Sequence, residues 1–261
     1  MASNGHVRGL QPTGLHRTEI EGVKHPGVLI RFRELAAAIG FRDAFLYGIS
    51  RICGTFSGNR VRLYKYYFVA QPITLRKDQP DARPGSFQFA WVKPGAPILA
   101  NVARPPAVIN ARFDQGAECL VATTKDAQFA GFLWVVVGPY DEDEVRIRFQ
   151  PRPEGQAAWD FDVAIEPRYR LGRLFSQLWN RAMADLGERG VRHTMSRISA
   201  FNAASLASHR RLGANVVGAA AFLCVGNWQL MRSSIQPKWH FSWRTDQRPS
   251  LSIESGTTPT I

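Results

Sequence analysis

Apolar positions in the second half of the chain follow two rhythms. Glu118–Thr124 and Gln128–Val137 are short apolar runs, the second closed by Gly138–Pro139, and both predict strands. Asp141–Glu144 reads as an acidic turn and Val145–Gln150 alternates apolar with polar, which predicts a hairpin of an antiparallel sheet. Ala158–Ile165 predicts a further strand, stopped by Pro167. The rhythm then lengthens. Leu174, Leu178, Ala182 and Leu186 recur at intervals of four beside Leu171, Phe175, Trp179 and Met183. That spacing predicts an amphipathic helix from about Leu171 to Arg189, ended by Gly190. His193–Ala200 returns to strand character. Asn202 is placed to cap a helix over Ala203–Leu212, closed by Gly213. Asn215–Val225 and Trp228–Arg232 read as a last pair of strands around Gly226–Asn227.

The first half is less regular. Residues 1–26 are polar and read as a flexible tail. Phe32–Ile52 has helical spacing, with Gly40 as its weak point. Arg60–Ile73 is rich in β-branched and aromatic residues and predicts a strand closed by Pro72. Ser86–Val92 and Ile98–Val102 read as two more strands, and Pro105–Pro106 as a break. The chain thus divides into the tail, a region over 27–115 that packs on or precedes the main domain, the main domain over 116–232, and a C-terminal extension over 233–261, partly disordered. Arg244–Ile261 reads as a polar tail.

Composition narrows the class. With 261 residues and 45% hydrophobic residues the chain can bury a sizeable core, which excludes full-length disorder. Its longest nearly uncharged apolar run, Val216–Gly226, falls short of the roughly 20 residues of a membrane span. No secretory signal is visible at the N-terminus, so the expected location is the cytoplasm. Cys53, Cys119 and Cys224 are far apart and odd in number, which points to buried thiols and not to disulfides or a zinc ribbon. The scattered His residues show no metal-ligand spacing, so no metal is expected. The formal net charge is +12, and all but six of the 33 basic residues are Arg. Such a field favours anionic partners, and Arg suits bidentate recognition of phosphate. No run of five or six basic residues occurs, which argues against nucleic acid.

The chemistry sits between Ile165 and Gly213. A helix that starts within Pro167-Arg-Tyr-Arg-Leu-Gly-Arg-Leu-Phe-Ser176 offers unpaired N–H groups and the positive end of its dipole beside Arg168, Arg170 and Arg173. Ile165-Glu-Pro167-Arg-Tyr169-Arg170-Leu-Gly-Arg173-Leu174-Phe175-Ser-Gln-Leu178 resembles the phosphate-binding segment of the GNAT superfamily of acyl-CoA N-acyltransferases. Asn202, Ser205, His209 and Leu212-Gly213-Ala214 follow at that family's offsets. The resemblance covers about residues 117–232. Leu171, Arg173 and Phe175 stand where the family has small residues, mostly Gly, and Gly172 is one position out of step.

The resemblance implies an α+β fold, a mixed and mainly antiparallel sheet flanked by helices and splayed between strands 158–165 and 193–200. It implies an N-acyltransferase with acetyl-CoA or another acyl-CoA as co-substrate. Backbone groups of Val163, Ala164 and Ile165 would hold the pantetheine. Arg170, Leu171, Gly172, Arg173, Leu174, Phe175 and Ser176 would hold the pyrophosphate, and Asn202 and Ser205 the cofactor arm. His209 takes the place of the family's general-acid Tyr. Asp160 and Asp162, two apart and so on one face of a strand, are the candidate bases, with Glu166 beyond them. The acceptor expected is a small-molecule amine or amino sugar in preference to a protein. Two alternatives stay open: an acidic acyl carrier protein as donor, and a GNAT-like binding module without catalysis.

Overall fold

The computed structural model describes residues 28–58, 60–73, 86–170 and 172–256. Expectations for residues 1–26 and Leu171 lie outside the described residues.

Helix α1 (Val28–Ile39) and helix α2 (Phe41–Phe56) replace the single helix read over Phe32–Ile52. Gly40 sits between them at φ 86°, a left-handed conformation that ends one helix and starts the next. Strands β1 (Val61–Pro72) and β2 (Phe87–Val92) follow. The stretch read as a strand at Ile98–Val102 is instead a 3₁₀ turn over Pro97–Asn101, because Pro97 has no N–H to give a ladder and suits a helical first turn. In the same way Pro106 does not merely break the chain. It occupies the first turn of a short helix, α3 (Pro106–Asp114), that the sequence reading passed over.

Strands β3 (Glu118–Thr124), β4 (Phe129–Val136), β5 (Tyr140–Asp141), β6 (Arg148–Arg152) and β7 (Ala157–Ile165) come next. Then come helix α4 (Leu174–Glu188), strand β8 (His193–Ser199), helix α5 (Ala203–Arg211), and strands β9 (Asn215–Val225), β10 (Trp228–Ser233), β11 (Trp239–Ser242) and β12 (Ser250–Glu254). Helix α4 starts at Leu174 and not near Leu171, because the preceding residues are spent on a 3₁₀ turn over Pro167–Tyr169.

The fold is α+β. Nine strands form one sheet in the order β11-β10-β9-β1-β8-β7-β4-β3-β2. Every neighbouring pair is antiparallel except β7 and β8, which are parallel. Strand β1 lies in the middle of this sheet, between β8 and β9. One face carries α2, α4 and α5. The other faces α3 and a smaller sheet, β12-β6-β5. The hairpin expected across Asp141–Glu144 is corrected in its partner: β6 turns back antiparallel on β5 and not on β4, and takes β12 in parallel on its other side. The segment read as a polar tail supplies β12, whose Leu251 and Ile253 are buried between exposed polar residues. That alternation spans only five residues, too short to stand out against polar flanks.

Trp134, Trp159, Phe68, Phe149, Phe222 and Met195 fill the core against the smaller sheet. Leu174, Leu178, Trp179, Ala182 and Leu186 bury the apolar stripe of α4 against β3, β4 and β7. Burying each leucine, phenylalanine or methionine among them is worth about 1.5–3 kcal/mol. Among the described residues no helix is long and apolar enough to cross a membrane.

Candidate active site

The site begins where β7 and β8 part. They pair at Ala157 with His193, Ala158 with Thr194 and Trp159 with Met195, and no ladder pair follows. From Asp160 onward β7 is bonded only to β4. Its opposite edge, towards β8, has no strand partner up to Ile165. A strand edge left open in this way keeps backbone N–H and C=O groups that something other than a strand must satisfy.

A β-bulge produces the divergence. Trp134 pairs with Phe161, but Phe132 pairs with Ala164, so β7 carries one extra residue. Asp162 holds the bulge in the left-handed region at φ 49°, which Asp tolerates better than most residues. Its carboxylate receives Arg104 Nη2 on Oδ1 and Arg112 Nη1 on Oδ2, each at 2.5 Å. Arg112 is buried, lies over the rings of Trp134 and Phe161, and also reaches Asp143 at 3.3 Å. Gly131 on β4 makes the close approach possible: a Cβ there would stand 2.7 Å from Ala164 O and 2.8 Å from Ile165 Cδ1. Gly131→Ala is expected to lower stability by about 1–3 kcal/mol, read as a fall in the thermal midpoint.

The bulge also corrects one expectation. The extra residue shifts the alternation, so Asp160 and Asp162 do not share a face. Asp162 turns towards α3 and its arginines. Asp160 turns towards the helix side, where Thr194 and Ser196 of β8 face it. Asp160 is 4% exposed. Burial pushes its carboxyl up to about 7, and the two hydroxyls only partly offset this. Apart from Asp160, the buried Thr194 Oγ1 and Ser196 Oγ have no hydrogen-bond partner.

At the far end of β7, Arg170 Nε donates to Ile165 O at 2.9 Å. Arg168 lies over the Tyr169 ring and donates to Gln128 Oε1 and Phe129 O. The Gly172 amide is spent on Tyr169 O at 3.2 Å. Arg173 is the N-cap of α4, without a side-chain cap and with no acid in the first turn. The helical ladder begins with Gln177 N–H on Arg173 O, so the N–H groups of Leu174, Phe175 and Ser176 have no acceptor within the helix. Phe175 stacks on Trp179 one turn along, and Leu174 is buried in the core. Val163 is half-buried and Ala164 exposed.

Asn202 caps α5: its Oδ1 accepts from Ser205 N–H at 3.0 Å. His209 is buried edge-on against Trp179, ring centroids 5.5 Å apart, so α5 docks on α4 through this pair. Its Nδ1 lies 2.9 Å from Ser205 O. A carbonyl only accepts, so Nδ1 carries the proton and Nε2 of the neutral ring keeps a lone pair. Burial lowers the imidazole's pKa. His209 as found therefore accepts a proton and has none to give from Nε2.

Sequence reading missed Arg104 and Arg112, because α3 went unread, and Thr194 beside Asp160, because the register of β7 on β8 has no signature in residue type. On the sheet's opposite face a second buried cluster holds β8: Glu142, 3% exposed, receives Arg197 Nε at 2.6 Å, and Arg197 lies over Tyr66. Among the described residues no three His, Cys, Asp or Glu side chains could hold a metal ion.

No family model matches the sequence, and no curated protein does. Among solved structures the chain is similar to a Drosophila protein, 12% identical over 68% of this chain with a TM-score of 0.45. It is similar to a tandem GNAT protein from the clavulanic acid biosynthesis pathway, 13% identical over 63% with a TM-score of 0.40. A third is a Trypanosoma brucei acetyltransferase, 16% identical over 49% of this chain and 91% of its own, with a TM-score of 0.36. The chain spans 57% and 55% of the first two. At these scores the likeness says nothing about substrate.

Proposed function

We propose that the chain is an N-acyltransferase that moves an acetyl or longer acyl group from acyl-CoA to an amine, a small amine or amino sugar in the first instance. The observation that carries this reading is the fork between β7 and β8, with its unpartnered backbone edge over 160–165 leading to the uncapped, arginine-flanked start of α4. The pantetheine arm carries amide groups at a spacing that suits a strand edge, and adds to β7 as a short extra strand. The pyrophosphate meets the free amides of Leu174, Phe175 and Ser176, with Arg173 beside them.

Asp160 stands at the fork, one residue past the last ladder pair. In its ionised form it takes the proton that the amine gives up as the C–N bond forms. The C–S bond breaks, and the thiolate, a good leaving group, takes its proton from water. His209 has no part as a donor in this scheme, and Asp162 serves by holding the bulge that opens the fork.

Two measurements test the reading. Acetyl-CoA mixed with the protein and a panel of primary amines is expected to release thiol only when an accepted amine is present. No release with acetyl-CoA, longer acyl-CoA or loaded acyl carrier protein contradicts it. Gly172 is exposed, and a Cβ there meets only Tyr169 O at 3.4 Å, so a side chain fits. Gly172→Glu is expected to weaken acyl-CoA binding at least tenfold by calorimetry, through repulsion of the phosphates, with the melting curve unchanged.

A further inference from the structure

Large hydrophobic side chains exposed among the described residues fall in two places, α2 and the edge formed by β9, β10 and β11. The second group is Leu223, Val225, Trp228, Leu230, Trp239, Phe241 and Trp243. Strand alternation explains why they share a face. Phe222, Cys224, Gln229, Met231 and Ser242 point into the core, so their neighbours point out. The register sets Val225 beside Trp228, and Leu223, Leu230 and Phe241 in one row across three strands. Trp228 and Trp243 both contact the Phe241 ring. Helix α2 lies over β1, the next strand, on the same side of the sheet. A continuous apolar surface of this kind is rarely left in water without a partner.

Charge decides which partner. No Asp or Glu occurs between Glu188 and Asp246, the stretch that contains all three strands. Arg232 lies over the Trp239 ring, Lys238 sits in the turn between β10 and β11, and Arg60 accepts the Gly226 amide on its carbonyl at the opposite turn. None of the three has an acidic partner among the described residues. Tryptophans flanked by cations suit the boundary between acyl chains and anionic headgroups, where one end of the side chain is dry and the other wet. A second copy of the same face would set cation against cation. Single-stranded nucleic acid would need more cations in line than three to follow its backbone.

We propose that the open face of β9, β10 and β11 docks the protein onto an anionic phospholipid surface. The test uses the full chain with vesicles of phosphatidylcholine alone and of phosphatidylcholine with phosphatidylglycerol. Wild type is expected to co-sediment with the anionic vesicles at least tenfold more strongly than with neutral ones, with a blue shift of Trp emission. The combined change Trp228→Ser, Trp239→Ser and Phe241→Ser, all at exposed positions, is expected to abolish both effects while far-UV circular dichroism stays the same. Arg232→Glu with Lys238→Glu keeps the aromatic surface and is expected to lose the preference for anionic vesicles. Absence of binding, or equal binding to both vesicle types, overturns the proposal. So does a dimer, or an RNA complex, that the triple change dissolves.

Discussion

Asp160→Asn is expected to lower turnover about 10²-fold while leaving acyl-CoA affinity within threefold, because general base catalysis contributes roughly that much and more. Wild-type rate should rise with pH and level off above about 7, as the Asp160 carboxyl loses its proton; in the variant that limb should be gone. Stability should move the other way. Folded Asp160 keeps its proton up to about pH 7, whereas an unfolded chain's carboxyl loses it near pH 4. Between those values the unfolded chain holds fewer protons, so stability falls as pH rises. Below about pH 4 the two states bind the proton alike, and above 7 the loss is complete, at most about 4 kcal/mol. Asp160→Asn removes this loss, so the variant should melt higher than wild type at pH 8 and alongside it at pH 4. A variant that is both slower and more stable marks a buried carboxylate kept for chemistry at a cost to the fold.

Arg112→Ala is expected to cost about 3–5 kcal/mol, measured by denaturant unfolding. Arg112 and Asp162 are both largely buried, and the change leaves Asp162 with Arg104 alone, which is two-fifths exposed. It also removes the guanidinium that fills the space over Trp134 and Phe161. Adding Asp162→Asn to Arg112→Ala should recover part of the loss, since an uncompensated carboxylate is then no longer buried. Asp162 holds the bulge, so Arg112→Ala should also weaken acyl-CoA binding although Arg112 lies on the other side of the sheet from α4. If the double variant is as unstable as the sum of the two single ones, the pair does not act as a unit.

The strands and helices of the site were legible because each carries its own rhythm. The stripe Leu174, Leu178, Ala182 and Leu186 found α4, and Asn202 as a cap found the start of α5. The parallel pairing of β7 with β8 followed from the family frame, whereas the central place of β1 did not. Nothing local in Val61–Pro72 says that its two neighbours come from about 120 to 165 residues later in the chain. The bulge at Asp162 was also hidden. Strict alternation put Asp160 and Asp162 on one face, and only the extra residue against Leu133 separates an ion-paired structural carboxylate from an unpaired one. Proline misled at Pro106, since the same residue that breaks a strand also begins a helix, and Pro97 at the head of its 3₁₀ turn was passed over.

A crystal structure of the protein soaked with acetyl-CoA tests the central claim most directly. It should show the pantetheine alongside residues 160–165 of β7, the pyrophosphate on the amides of Leu174, Phe175 and Ser176, and the thioester beside the Asp160 fork. Acetyl-CoA bound elsewhere, or β7 and β8 closed against each other with no ligand at millimolar concentration, would contradict it.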